Sequence, residues 1–171
     1  KTAMPEIERS LARAPGRRMV VGESMGGFNA LQLLAARPGI FERGALLCPG
    51  ISSLAPRASA GEVKVFIKQA GASRSRVRKV LKMMSAAYPS AEDWAADGPQ
   101  ALVRRLVSTK LTQLYVSCGR SDEYGFFPGA ETLARQAREL GLLVAWEPLE
   151  GGHCTVNPYA VADFLLGAQP H

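Results

Sequence analysis

Val20-Val21-Gly22-Glu23-Ser24-Met25-Gly26-Gly27 is the stretch whose reading decides the fold. It has the form of a buried strand that turns through Gly-x-Ser-x-Gly into a helix. Such a turn lifts one serine hydroxyl to the end of a parallel sheet, where it is placed to act as a nucleophile. Residues two before and two after the serine must be small, because strand and helix backbones nearly touch there. The pattern alone is weak, so its surroundings decide. A short apolar run with two valines precedes it, residues 26–37 have the length and Leu/Ala content of a helix, and Pro38-Gly39 ends that helix.

Outward from this turn, short apolar segments alternate with helical ones. Strands are expected near 18–22, 44–48, 112–117 and 142–147, each followed by Gly, Pro or small polar residues. Strands buried on both faces of a parallel sheet have this composition. Residues 130–140 place Leu133, Ala137 and Leu140 on one helical face, with Gly141 as a stop. A last helix at about 158–166 offers Val161, Phe164 and Leu165, and one at about 4–14 precedes the first strand. The expected class is α/β, a mostly parallel sheet with flanking helices and right-handed crossovers.

One connection is too long for a simple crossover. Between residues 52 and 110 the periodicity is helical throughout. Val63, Phe66, Ile67 and Ala70 fit one apolar stripe, and Val77, Val80, Leu81, Met84 and Tyr88 fit another. A third helix over 91–107 is expected to break near Gly98-Pro99. This segment is expected to be a helical cap over the sheet end, inserted in a single domain spanning 1–171.

A chain of 171 residues buries about 70% of its unfolded surface, enough for one core. No apolar run approaches the roughly 20 residues that span a bilayer. The chain begins with Lys1, so a removed start or a piece of a longer protein is expected. The net charge of +6 is uneven. Residues 62–82 hold seven basic side chains and one acid, whereas the rest holds 14 of each. No aromatic residues interleave with those charges, so no nucleic-acid partner is expected and the segment is taken as a solvated face. Cys48, Cys118 and Cys154 have no metal-like spacing and are odd in number. They are expected to be buried reduced thiols, with Cys48 and Cys118 as neighbours. That points weakly to a reducing, cytoplasmic compartment. No metal or other cofactor is expected.

A serine hydroxyl needs a base. Of two histidines, His171 is terminal, whereas His153 follows the last strand in Glu150-Gly151-Gly152-His153-Cys154. The glycines let that loop bend back toward a neighbouring strand end, so His153 is the expected base. The base needs a carboxylate to fix its tautomer. Asp122 follows the third strand, at the edge of the sheet where sites form in open α/β folds. Glu123 and Glu147 are rivals, the first expected to point away from Asp122 and the second still inside its strand. The order Ser24, Asp122, His153 is the nucleophile–acid–base order of α/β-hydrolases. The backbone N–H of Met25, at the start of the following helix, is expected to hold an oxyanion.

Three stretches carry a resemblance. They are Val21-Gly22-Glu23-Ser24-Met25-Gly26-Gly27-Phe28-Asn29-Ala30-Leu31, Tyr115-Val116-Ser117-Cys118-Gly119-Arg120-Ser121-Asp122, and Gly151-Gly152-His153. They resemble the putative-esterase group of α/β-hydrolases, which includes esterase D, enterochelin esterases, feruloyl esterases and mycolyltransferases. The resemblance runs from about residue 4 to 166 outside the cap. It implies a serine hydrolase acting on a small-molecule ester or thioester through an acyl-enzyme, with Ser24 as nucleophile, Asp122 as acid and His153 as base. It also implies that several strands of the fold, and a second oxyanion donor, precede this chain or come from a partner. Two features depart from the group: Cys154 after the histidine and the long insertion. An acyltransferase, or a binding and assembly module on the same scaffold, remains the alternative. A prolyl-oligopeptidase-type peptidase is less favoured, since Cys118-Gly119 stands where such enzymes carry His-Gly.

Overall fold

In a computed structural model of the chain, the described residues are 6, 9–10, 16–37, 39–107 and 113–167. Most of the helix expected at 4–14, and His171, lie outside them. The described strands are β1 (Met19–Glu23), β2 (Arg43–Leu47), β3 (Gln113–Gly119) and β4 (Val144–Leu149). They form one parallel sheet in the order β1-β2-β3-β4. All four C-terminal ends therefore point the same way.

After β1 the described helices are α1 (Met25–Ala36), α2 (Ala60–Ala70), α3 (Arg74–Ala87), α4 (Ala91–Asp97), α5 (Pro99–Leu106), α6 (Phe127–Glu139) and α7 (Pro158–Leu166). Side chains alternate across a strand, and the sheet divides its core accordingly. Leu46, Leu114 and Val116 face α1, α5 and α6, where Leu31, Leu34, Leu106 and Leu133 bury against them. Ala45, Leu47 and Tyr115 face α7, through Val161, Phe164 and Leu165. Gly44 leaves room for Leu34 in the first layer: a Cβ there would lie 2.5 Å from Leu34 Cδ1, which would have to shift.

The long insertion resolves into four helices with local start and stop signals. Ser59 and Glu62 form a capping box on α2, and Ser90 and Asp93 form one on α4. Gly71 ends α2 in the left-handed conformation. Gly98 and Pro99 separate α4 from α5 as the break signal requires. The two expected stripes meet each other, with Phe66, Ala72 and Val77 forming a small core of their own beneath Val63, Ile67 and Leu81. Lys64, Lys68, Arg74, Arg78, Lys79 and Lys82 are exposed, while Arg76 is half-buried. No helix among the described residues is long and apolar enough to cross a membrane.

The cysteines differ from expectation. Cys48 and Cys154 are joined in a disulfide, and only Cys118 is a free, buried thiol. Cys48 does lie beside β3, its N–H donating to the Ser117 carbonyl at 2.7 Å. Its side chain, however, continues across the sheet edge to the loop after β4, where the two Cα atoms stand 5.2 Å apart, a normal bridging distance. The inference of a reducing compartment loses its basis, since disulfides persist where the surroundings are oxidising.

Candidate active site

Ser24 is built by the turn between β1 and α1. Its backbone is forced to φ 53°, ψ −121°, a region that costs a non-glycine residue on the order of 1–3 kcal/mol. The surroundings hold it there. Ser24 N–H donates to the Leu47 carbonyl at 2.9 Å, and the Ser24 carbonyl accepts from Gly27, Phe28 and Gly50. A Cβ on Gly22 would lie 2.0 Å from the Gly26 carbonyl oxygen, so the turn admits only glycine there.

His153 arrives on the loop after β4, which is laced to the loop after β3. Arg120 N–H donates to the Leu149 carbonyl and Ser121 N–H to the Gly151 carbonyl. A Cβ on Gly119 would strike the Gly152 carbonyl oxygen at 2.2 Å, so glycine lets the two loops touch. The imidazole then lies between two partners. Its Nε2 is 3.0 Å from Ser24 Oγ and its Nδ1 is 2.6 Å from Asp122 Oδ2. The second contact fixes the tautomer: Nδ1 carries the proton donated to the carboxylate, and Nε2 accepts from the serine hydroxyl.

Asp122 is 1% exposed. Its second oxygen, Oδ1, accepts from Tyr124 N–H at 2.8 Å and Phe126 N–H at 3.4 Å. The Cys118 thiol donates weakly to Oδ2 from 3.9 Å. Burial, reinforced by the Asp122 charge, raises the pKa of that thiol well above its ordinary value, so Cys118 stays protonated.

The rival carboxylates are engaged elsewhere. Glu147 accepts from Tyr115 Oη and from Asn157 Nδ2 on the α7 side. Glu123 sits beside His153 without touching its ring: its Oε2 accepts His153 N–H at 3.0 Å. Its carboxyl is held below the usual carboxylate range by its own backbone N–H, then by His153 N–H, with Arg76 adding to both. Arg76 reaches in from α3 to pair with Glu123 at 2.8 Å and lies over the Tyr124 ring at 4.7 Å. Tyr124 in turn packs its ring 4.5 Å from the imidazole. Glu123 appeared in the sequence only as a rival acid, and the part played by Arg76 and Tyr124 had no sequence signal beyond Tyr124's closeness to Asp122.

Met25 opens α1, so its N–H belongs to the first-turn amides that have no intrahelical acceptor. Beside it is a cavity of about 170 Å³. Met25 and Phe28 of α1, Val80 and Met84 of α3, Trp94 of α4 and Pro99 of α5 line it. Cys48, Cys154 and a His153 ring nitrogen lie within 4.8 Å of one another, a grouping that could hold a metal in principle. The two sulfurs are bonded to each other, which leaves no thiolate to bind a cation.

The sequence of residues 2–157 matches the family model described as Putative esterase. No curated protein is significantly similar in sequence. Among solved structures, the chain is similar to carboxyl esterase 2 from the fungus Tuber melanosporum, at TM-score 0.61 and 17% identity, covering 96% of this chain and 56% of that one. It is similar to a Rhizomucor miehei esterase at TM-score 0.62 and 18% identity, covering 96% and 54%. It is also similar to the acylaminoacyl peptidase of Pyrococcus horikoshii at TM-score 0.58 and 14% identity, covering 88% and 22%. The chain thus spans about half the length of the fungal esterases and about a fifth of the peptidase. With the parallel sheet, the strained serine turn and a family match over most of its length, the chain belongs to the Putative esterase family and has the α/β-hydrolase fold.

Proposed function

We propose that the protein hydrolyses a carboxylic ester or thioester with Ser24 as nucleophile, His153 as base and Asp122 as its orienting acid. The supporting observation is the unbroken chain of contacts from Ser24 Oγ to His153 Nε2 at 3.0 Å and from Nδ1 to Asp122 Oδ2 at 2.6 Å. A hydroxyl, an imidazole and a buried carboxylate in this order are a proton relay.

The reaction proceeds in two halves. Ser24 Oγ attacks the substrate carbonyl carbon while its proton passes to Nε2. The carbonyl π electrons move onto oxygen, which is placed to accept the Met25 N–H at the positive end of α1. The tetrahedral species then expels the alcohol or thiol, protonated by the imidazolium, and leaves an acyl-enzyme. A water molecule, deprotonated by the same nitrogen, attacks the acyl carbon and restores the serine. The buried Asp122 carboxylate stabilises the imidazolium in both halves.

The apolar cavity next to Met25 gives the substrate a shape. At about 170 Å³ it is close to the roughly 150 Å³ engineered cavity that holds benzene. It therefore suits an apolar acyl or alcohol group of about six heavy atoms. The inserted helices α3 and α4 serve as the cap that walls this cavity, through Val80, Met84 and Trp94. The remaining sheet belongs on β1, which pairs on one side with β2 and leaves Val21 47% exposed. A preceding segment or a partner chain that pairs there would bring the second oxyanion donor, whose absence costs about 10²–10³ in rate. The test is pre-steady-state hydrolysis of p-nitrophenyl hexanoate by the full natural polypeptide. A burst of one p-nitrophenol per chain that disappears in Ser24→Ala is expected. Equal turnover by Ser24→Ala would refute the assignment.

A further inference from the structure

The loop that carries His153 is tied down by a bond that the reaction above does not use. Cys154 follows the base directly and is bonded to Cys48 across 106 residues of chain, at the end of β2. Both cysteines have positive φ, 38° and 56°, a conformation uncommon outside glycine. Cys154 Sγ lies 3.3 Å from His153 Nε2, the same nitrogen that faces Ser24 Oγ.

The oxidation state of that sulfur decides what it does to the imidazole. In a disulfide it has no hydrogen and acts only as a weak acceptor. Nε2 then keeps its lone pair for the serine hydroxyl. As a thiol, Cys154 would place an S–H donor against the same lone pair. A thiol next to an imidazole ionises readily to a thiolate–imidazolium pair. An Nε2 that already holds the cysteine proton does not accept the serine proton.

We infer that the Cys48–Cys154 disulfide keeps Nε2 of the base open to Ser24 by withholding the Cys154 thiol from it. Reduction by a dithiol hands the imidazole to Cys154 instead. This inference rests on the assignment of His153 as base. In the reduction, the dithiol supplies two electrons and two protons, the S–S bond breaks, Cys48 and Cys154 each gain a hydrogen, and the dithiol closes to its cyclic disulfide. The Cys154 proton then moves to Nε2. Buried Cys118, beside Asp122 and not in the bridge, is the internal control.

The experiment treats the full natural polypeptide with a fluorophosphonate and with iodoacetamide, before and after dithiothreitol, and maps the modified residues. The oxidised protein should be modified at Ser24 and at no cysteine. After reduction, Ser24 modification should slow at least tenfold, and Cys154 should become the fastest-alkylated thiol, reactive below the pH range of an ordinary thiol, while Cys118 stays protected. Reoxidation should restore Ser24 reactivity. Cys48→Ala/Cys154→Ala, which lacks the competing thiol, should label Ser24 faster than the reduced wild type. An unchanged Ser24 rate on reduction overturns the inference. So does a double variant as slow as the reduced wild type. Alkylation of Cys118 on reduction also overturns it, because the bond is then a crosslink for the whole fold. Failure of the oxidised protein to label at Ser24 would instead overturn the hydrolase assignment on which the inference rests.

Discussion

Asp122→Asn isolates the tautomer on which the proposed relay depends. The substitution changes little in volume, and the site dictates how the new amide must lie. The position of Oδ1 receives two backbone donors, Tyr124 N–H at 2.8 Å and Phe126 N–H at 3.4 Å. Only the amide oxygen fits there. The NH₂ group therefore takes the place of Oδ2, 2.6 Å from His153 Nδ1. A donor at that point demands a lone pair on Nδ1, which drives the ring proton to Nε2, and an Nε2–H facing Ser24 Oγ removes no proton from it. At 1% exposure the site leaves no room for water to restore the first arrangement. Inverting the tautomer in a serine-protease triad costs about 10⁴ in kcat, or about 5.5 kcal/mol of barrier. The same loss is expected here, in the burst rate with p-nitrophenyl hexanoate. Thermal unfolding should show the variant still folded, because the two backbone donors keep their acceptor. A burst rate within tenfold of wild type would refute the reasoning, since the Nδ1–Asp122 contact would then not govern Nε2.

Gly22→Ala puts a methyl group 2.0 Å from the Gly26 carbonyl oxygen, against backbone that cannot swing away. A loss of about 3 kcal/mol, the upper end of overpacking, is expected in urea unfolding, and a loss below about 0.5 kcal/mol would contradict the close approach. Glu123→Gln tests the latch on His153 N–H. The folded Glu123 carboxyl titrates below its unfolded value, so its stabilisation is complete above the unfolded pKa of about 4.3 and is lost as pH falls through the lower folded value. The stability gap between wild type and Glu123→Gln should be constant near neutrality and close below about pH 4, and a gap that widens toward acid would have the wrong sign. Ala87→Trp fills part of the cavity that Ala87 helps to line. It should lower kcat/KM for the hexanoyl ester on the order of tenfold, the size of a pocket-fit effect, and leave the acetyl ester nearly unchanged.

The strands were legible because each is a short apolar run stopped by Gly, Pro or a polar residue, although only β2 and β3 have the expected burial on both faces and no residue of β1 or β4 is buried. The helix break at Gly98-Pro99 was legible because backbone chemistry sets it locally. Ser24, Asp122 and His153 could be grouped for a topological reason: each follows a different strand of a parallel sheet, whose ends share one edge. The disulfide was hidden because a separation of 106 residues says nothing about which loops fold toward each other. One signal was available, since Cys48 directly follows one strand and Cys154 lies in the loop after another, on that same edge. The partners of Glu123 were hidden because its backbone position beside Asp122 does not determine which neighbour its carboxylate reaches. It turned to an amide of the next loop and to Arg76. That arginine belongs to a basic run whose other members are exposed, and composition cannot single out the one that turns inward.

The central claim is that the hydroxyl of Ser24 becomes a nucleophile because His153 takes its proton. The most direct measurement is covalent trapping of the oxidised full polypeptide with a fluorophosphonate, followed by peptide mapping, for wild type and His153→Ala. One phosphonyl group per chain on Ser24 in the wild type, with the rate reduced by at least 10³ in His153→Ala, is the predicted result. Modification at another residue, or an equal rate without the imidazole, would contradict the account.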